Sequence, residues 1–595
     1  MNSLQMIIKY WLKSRGIFVK AFVLQIISTL FQLIIPIFIG QLVGRLDPNS
    51  PNPMSITELF FYFFVIIGLG LMVFLIFRYS RILGARVSTN ALYFVRKDIH
   101  NAINRQSFAY FDQMEAGNLV ARATSDVEQT DMIFGFGLAV GVQGVIQLFG
   151  ILIAISVLGT QMIWIFGILI PSSLTISLII TKKLRPIYFE SREAFGELTS
   201  TIRENIVGAQ VVRMFSMQDK EYRKFDENNK RFYNASVRSV KINSLYTPIN
   251  FVLIGLMTIL TLFVGGNLVI QGFISLSTLI TFISYIGLTV FPLVVLGQIM
   301  IMYVQADAAL RRIREVIESS PEILEKSNPI SAENLKGEVK FENVSFGYTP
   351  SNRVLKNLTF KVPHGKKIAI IGTTGSGKST IINLIPRFYD VSDGSIKIDD
   401  VDVRDYNIAE LRHNIAIVSQ DTFLFDKTIK ENITYGKDDA TMEEVIEAAK
   451  SANIHDFILG LPEGYQSMVG ERGTRLSGGQ KQRLSIARAI IIKPKILVFD
   501  DSTSSVDVET EYKIQNALEN IMKNTTTFII TQRISTIRNA NEILVLDKGR
   551  IVGFGTHESL IENNVLYRQI YETLYRKQKE LTDKSLLKSE EVVHD

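Results

Sequence analysis

Gly372-Thr373-Thr374-Gly375-Ser376-Gly377-Lys378-Ser379-Thr380 fills the pattern G-x-x-x-x-G-K-[ST] of a phosphate-binding loop. Before it, Lys367-Ile-Ala-Ile-Ile371 is a short β-branched run that predicts a buried strand. After it, Thr380-Ile-Ile-Asn-Leu-Ile385 predicts the start of a helix. Strand, glycine turn, helix is the context the motif needs. Glycines let backbone N–H groups close around phosphate oxygens, and the helix N-terminus adds its positive dipole end. Lys378 is placed to reach the β- and γ-phosphates of a nucleotide, and the Ser379 hydroxyl to ligate Mg²⁺. The bland alternative, a glycine-rich turn that matches by chance, does not account for Lys-Ser at the right offset between those flanks.

The chain has 595 residues, 47% of them hydrophobic, and a net charge of +6. Its mean hydropathy is +0.20 and its pI about 9.0. The length suits two or three domains, and the hydropathy is high for a soluble protein. No basic block with interleaved aromatics occurs, so the positive balance is not read as nucleic-acid binding. There is no cysteine, which excludes disulfides, thiolate metal sites and thiol catalysis. Met1–Arg15, with Lys9, Lys13 and Arg15, shows no signal-peptide cleavage pattern and predicts an amphipathic helix lying along the inner membrane face.

Uncharged runs then follow in order. Ala21–Val43 and Leu59–Phe77 are each long enough for one span. Ile133–Thr181 suits two, breaking near Gly159-Thr160-Gln161, and Ile242–Ala306 suits two more, breaking near Gln271-Gly272. Six transmembrane helices are therefore expected. The intervening segments 81–131 and 182–241 are rich in Lys and Arg, whereas the short loops are nearly free of them. The positive-inside rule then puts both long segments and both termini in the cytoplasm. Their periodicity favours long helices leaving the membrane over an inserted soluble domain. Within the spans the polar residues are neutral: Gln25, Gln32, Gln143, Gln147 and Gln298. They either line a substrate path or hydrogen-bond between helices, and with no intramembrane charge there is no sign of a proton relay.

Asp307–Ser319 predicts a charged helix ended by Ser320-Pro321, and Glu325–Leu335 a linker. The second half then accumulates motifs in order. A strand ends in Phe346-Gly347-Tyr348, then comes the phosphate-binding loop, then Val418-Ser419-Gln420. Leu476-Ser477-Gly478-Gly479-Gln480 follows about 100 residues after that loop, ahead of the strand Ile496-Leu497-Val498-Phe499-Asp500.

With these motifs the chain resembles the ATP-binding cassette (ABC) exporter family, as a type IV, multidrug-type half-transporter. The likeness covers essentially its whole length, and Phe111-Asp112 through Asp126-Val127 resembles the family's first coupling loop. The fold class implied is an α-helical six-span transmembrane domain followed by an α/β P-loop nucleotide-binding domain. The expected layout is an interfacial helix at 1–15, a transmembrane domain at 16–319, a linker at 320–336, the nucleotide-binding domain at 337–576 and a charged, disordered tail at 577–595. The resemblance implies ATP and Mg²⁺ as cofactors. It implies that Tyr348 stacks on adenine, that Gly372–Thr380 hold the phosphates, and that Ser379, Gln420 and Asp500 serve Mg²⁺. Val469–Gly473 would touch a partner's coupling loop, and Ser505-Val506-Asp507 would cross the dimer interface. Ser477, Gly478, Gly479 and Gln480 would complete the site built on a partner's P-loop.

Two positions depart from the family pattern. Where it has a catalytic Glu after the strand Asp, this chain has Asp501, shorter by on the order of 1.5 Å, enough to misplace a general base. Where it has a switch His, this chain has Gln532, which hydrogen-bonds but takes no proton. Phosphate and metal positions are intact while both hydrolytic positions differ. The expectation is one half of a heterodimeric exporter, holding ATP at an impaired site and lending an intact LSGGQ to its partner. The alternatives are a homodimer with two slow sites and a nucleotide-gated channel or regulatory subunit; a peptide-processing exporter lacks its protease domain here. Expected partners are a second half-transporter, membrane lipids and an amphipathic drug- or lipid-like substrate, with no nucleic acid. The expected location is a bacterial or archaeal cell membrane.

Overall fold

The computed structural model describes residues 2–46, 54–349, 351–501 and 525–576. Its residues fall into two compact units. The first comprises the chain up to Arg105 and Glu115–Ser319; the second comprises Gln106–Met114 and the chain from Ser320 onward.

In the first unit, α1 (Ser3–Leu12) is opened by a capping box in which Asn2 and Gln5 satisfy each other's backbone N–H groups. Then come α2 (Arg15–Arg45), α3 (Ile56–Asn104), α4 (Phe108–Gln113, which belongs to the second unit), α5 (Ala116–Ala123), α6 (Ser125–Met132), α7 (Leu138–Leu158), α8 (Ile163–Val207), α9 (Ala209–Met214), α10 (Gln218–Asn243), α11 (Tyr246–Ile270) and α12 (Leu276–Glu318). Among the described residues, six helical stretches are long and apolar enough to cross a membrane. The expected breaks fall at Gly159–Met162 and Gln271–Ser275, between α7 and α8 and between α11 and α12. The basic segments form helices that run on past the apolar stretches, α3 to Asn104 and α8 to Val207, with α10 packed along α8.

The spans bury one face and leave the other bare. Ile151, Phe166, Phe282, Tyr285 and Ile286 form a closed core, whereas Phe60, Phe61, Phe64, Leu71 and Phe74 of α3 stay exposed. Such a bare apolar face is stable only against hydrocarbon. Close packing comes from small residues. Gly40 and Gly44 of α2 sit one turn apart, facing Ser277 and Thr281 of α12. A Cβ on Gly44 would lie 2.7 Å from the Ser277 Cβ, and one on Gly40 would overlap Thr281 Oγ1. Backbones that approach so closely gain van der Waals contact without a hydrophobic drive. Of the glutamines, Gln25 is buried and accepts from Ser80 Oγ at 3.2 Å, and Gln147 donates to Leu288 O at 3.1 Å. For these two, the interhelical reading is the one the contacts favour. The side chain of Gln298 lies outside the described residues.

Among its described residues, the second unit holds two sheets. One is antiparallel, ordered β2 (Leu355–Val362), β1 (Val339–Phe346), β4 (Asp393–Ile398), β5 (Val401–Asp402). The other is ordered β10 (Arg550–Gly555), β9 (Glu542–Asp547), β3 (Lys367–Gly372), β8 (Thr526–Thr531), β7 (Ile496–Asp501), β6 (Ile415–Val418). From β9 to β6 it is parallel; only β10 runs antiparallel, joined to β9. A parallel sheet is covered on both faces, which is why its strands read as unbroken apolar runs. One core joins the two sheets around Phe341, Ile370, Ile381 and Phe528. A second lies among helices around Ile433, Val445, Leu484 and Phe499. The expected linker is stitched down: Ala332 and Leu335 are buried in the first core, and Ile330 pairs with Tyr406.

Candidate functional site

The parallel sheet brings most of the expected site residues to one edge. The strands β3, β8, β7 and β6 are neighbours in that order, and all point the same way. Their register sets Ile370 beside Ile530, Asp500 beside Ile530 and Phe499 beside Val418. The chain segments that follow therefore leave from a common rim: the glycine loop after β3, Gln532 after β8, Asp500 and Asp501 closing β7, and Gln420 just beyond β6. The carboxyl ends of parallel strands are where α/β sheets place ligands.

The loop after β3 has a backbone only glycine adopts without strain. Gly375 has φ 76° and Gly377 φ 99°, and a Cβ on Gly377 would stand 2.5 Å from Leu355 Cδ2. Helix α13 (Lys378–Leu384) starts immediately after it. Lys378 is half-buried, and its ammonium donates to Gly372 O at 3.1 Å and Thr373 O at 2.9 Å. Burial pulls its pKa down, while the negative charge of Asp500 pushes the other way. Two neutral carbonyls are a weak reward for a partly desolvated cation, so the ammonium is poised for an anion. Ser376 is buried with its hydroxyl unsatisfied, and Ser379 is exposed. Thr373 donates to Asp547 Oδ1 at 3.1 Å, tying the loop to the end of β9. Gln532 and Thr531 share with Gly372, Thr373 and Lys378 a cleft of about 310 Å³, whose far wall is Gln569 and Thr573 of the helix at 565–576.

Tyr348 lies past β1, 44% exposed, with its ring edge-on to Phe346 and to Tyr389 at 5.3 Å. Its hydroxyl is 3.2 Å from Thr380 Oγ1 at the opening of α13. Tyr389, which belongs to none of the sequence motifs, donates to Asp112 Oδ2 at 2.6 Å, and Phe388 stacks on Phe108 at 4.1 Å. Burial and the Asp112 carboxylate raise the Tyr389 pKa well above the ordinary phenol value. The Asp112 segment, α4, is thus held against the same aromatic cluster that carries Tyr348.

Ser477, Gly478, Gly479 and Gln480 are not among the residues that line that cleft. They open α18 (Gly478–Ile490), which packs into the helical core rather than the sheet core. Ser477 Oγ accepts from Gln480 N, and Gln480 Oε1 accepts from Ser477 N at 2.9 Å, a capping box. Ser477 and Gly478 are exposed, and a Cβ on Gly478 would meet nothing. Upstream, Gly470, Arg472 and Gly473 all have positive φ. Arg488 pins the segment after Gln420, donating to Phe423 O and Asn432 O at 2.9 Å. Asp501 is described only as the last residue of β7, opposite Thr531. Ser505, Val506 and Asp507 lie outside the described residues.

Two family models match the chain: the ABC transporter transmembrane region over residues 18–293 and the ABC transporter domain over residues 355–504. An uncharacterized ABC transporter ATP-binding protein of Bacillus subtilis (strain 168), YknU, is 35% identical over 578 residues, spanning 95% of this chain and 96% of the relative. The chain belongs to the ABC transporter family. Among its other relatives, the ATP-dependent lipid A-core flippase of Syntrophus aciditrophicus (strain SB) is 35% identical over 485 residues, with 82% and 80% covered. A putative multidrug export ATP-binding/permease protein of Staphylococcus aureus (strain NCTC 8325 / PS 47) is 34% identical over 574 residues, with 93% and 98% covered. The solved structure of a bacterial Atm1-family ABC exporter with ATP bound superimposes with a TM-score of 0.81 at 27% identity, covering 94% of this chain and 98% of that one. This ABC transporter is accordingly a multi-pass membrane protein of exporter type, an ATPase that joins six apolar helices to an ATP-binding domain.

Proposed function

We propose that this chain is one half of a heterodimeric ABC exporter, with ATP held on its own P-loop and hydrolysed mainly on its partner's. The observation that carries the reading is the pairing of an intact phosphate rim with Asp501 and Gln532 at the two positions where hydrolysis needs a longer carboxylate and an imidazole. The loop suits a polyphosphate on its own terms: its glycines hold the positive-φ backbone of a phosphate cradle, the Lys378 ammonium rests on the carbonyls of Gly372 and Thr373 at the loop itself, and Ser379 is exposed. In that reading Gly372–Thr380 bind the phosphates and Tyr348 offers its exposed ring to adenine. Ser379, Gln420 and Asp500 would hold Mg²⁺, which when bound neutralises charge across the phosphates. Asp501, short of the attacking water, would leave it poorly activated, and Gln532 would orient without exchanging a proton.

Exposed Ser477 and Gly478, which do not line the cleft at this chain's own P-loop, fit a role on a second subunit's nucleotide. Closure of the two ATP-binding domains would be carried into the spans through α4, with the cytoplasmic side taken from the Lys- and Arg-rich segments 81–131 and 182–241. The relatives named for multidrug and lipid A-core transport support an amphipathic small-molecule cargo. The test is the subunit mass composition of the intact complex, tagged on this chain and purified from its own membrane. Two different half-transporters in equal amounts, the second with Glu and His at the matching positions, is the expected result. Two copies of a 67.1 kDa chain would replace it with a slow homodimer.

A further inference from the structure

The turn between α1 and α2 opens on a cleft of about 570 Å³, lined by Lys13, Arg15, Lys20, Asn90, Tyr93 and Phe94. Its cations are not equivalent. The Lys13 ammonium is fixed: it pairs with Asp98 at 2.8 Å and sits 4.8 and 5.0 Å from the ring centroids of Tyr10 and Phe94. Arg15 and Lys20 make no ion pair among the described residues and are exposed. Two uncompensated positive charges therefore face one opening.

The height of the cleft is set by two bonds from α3, one to Ser14 just ahead of α2 and one to α2 itself. Asn90 Nδ2 donates to Ser14 Oγ at 3.2 Å, and Ser80 Oγ to Ala21 O at 3.0 Å. The second bond levels the start of the apolar run at Ala21 with the end of the apolar run on α3, which closes at Phe77. Five residues of helix from Arg15 to Lys20 rise about 7.5 Å, close to the roughly 5–7 Å of headgroup layer outside the hydrocarbon on each side. Around and above Lys20, α2 leaves apolar side chains bare: Val19 next to it, and Phe22, Val23 and Leu30 beyond it, are 54%, 37%, 45% and 49% exposed. Beside it, α1 leaves Leu4, Ile8 and Leu12 exposed, one residue per turn. Cations at headgroup depth, an apolar strip directly above and an aromatic residue, Tyr93, at the rim match a molecule with an anionic phosphate head and acyl tails.

We propose that this cleft is a binding site for an anionic phospholipid, its phosphate on Arg15 and Lys20 and its acyl chains along Val19 and Val23. The site is separate from the nucleotide rim and does not depend on which subunit hydrolyses ATP. The complex is purified in mild detergent, given dioleoylphosphatidylglycerol or dioleoylphosphatidylcholine, and read by native mass spectrometry and by the lipid-induced shift in melting temperature. Wild type retains phosphatidylglycerol preferentially. Arg15→Gln/Lys20→Gln loses that preference by about tenfold or more, since each cation near a membrane surface contributes about a factor of five toward anionic lipid. Its melting temperature in phosphatidylcholine stays that of wild type, which separates loss of the site from loss of the fold. Lys220→Gln/Arg223→Gln, the same charge change on exposed α10, keeps the preference. Equal retention by the cleft variant, or equal loss by the α10 variant, overturns the site. If inorganic phosphate displaces the lipid and raises the melting temperature as much, the cleft is a free-anion site and the lipid assignment falls.

Discussion

At the scale of single residues, the proposed asymmetry rests on two side chains, Asp501 and Gln532, at the end of the parallel sheet. Asp501 closes β7 one residue after Asp500, and Gln532 follows β8 beside Lys378. If those two positions are what slows the site, lengthening one and making the other protonatable should restore it. In a complex whose partner carries a Gln for its own catalytic Glu, Asp501→Glu/Gln532→His should raise steady-state ATPase by about 10²-fold, the lower end of what a positioned general base contributes. Asp501→Asn with a wild-type partner should change it less than about twofold, because a residue that is not the main base has little to lose. A near-total loss in the second measurement would make Asp501 the base after all. These positions were legible from the sequence because each directly follows an apolar strand whose end the pattern marks. Tyr389 was not: nothing in Arg387-Phe388-Tyr389-Asp390 tells that its hydroxyl meets Asp112, some 277 positions earlier.

Among elements, the helix starts and the close helix contacts decide what a mutation reports. Gly478 is the first residue of α18, exposed, with open space around a Cβ. An Asp there is sterically free and sits at the favourable end of the helix dipole. Gly478→Asp should therefore leave the melting temperature unchanged or slightly higher, yet cut the complex's ATPase by about 10²-fold if α18 serves a partner's phosphates. Ser477→Ala is a poorer probe, since it also removes the capping box at a cost of about 1 kcal/mol. The α4 contact predicts a milder phenotype. Tyr389→Phe keeps the ring against Tyr348 but removes the hydrogen bond to Asp112; transport should fall severalfold while ATPase persists, measured in the same vesicles. In the spans, Gly40→Leu would force a side chain onto Thr281, and overpacking of that kind costs about 1–3 kcal/mol, visible as a lower melting temperature. The number of spans and their breaks could be read from uncharged runs and glycine-containing gaps. The Gly40/Gly44 seam against Ser277 and Thr281 could not, because periodicity names small residues without naming the helix they face. The same is true of Asp126, which takes a two-pronged bond from Arg312 at 2.6 and 2.8 Å across 186 positions.

For the whole molecule, the asymmetric reading makes a claim about which nucleotide survives turnover and where. A site that binds phosphate through an intact loop but activates water poorly should empty more slowly than its neighbour. After several cycles with Mg²⁺-ATP and rapid gel filtration, the complex should retain unhydrolysed triphosphate, and photo-crosslinking with an azido-ATP carrying label on the γ-phosphate should mark this chain more than its partner. Lys378→Ala removes the cation proposed to face the phosphates. It should abolish the retained triphosphate while lowering overall ATPase only severalfold if, as proposed, the hydrolysing P-loop belongs to the other subunit. Equal labelling of both subunits, or complete loss of ATPase with Lys378→Ala, would mean that both sites turn over together. The intact loop would then be evidence of ordinary catalysis with an Asp base, and the exporter would work as a symmetric machine despite Asp501 and Gln532.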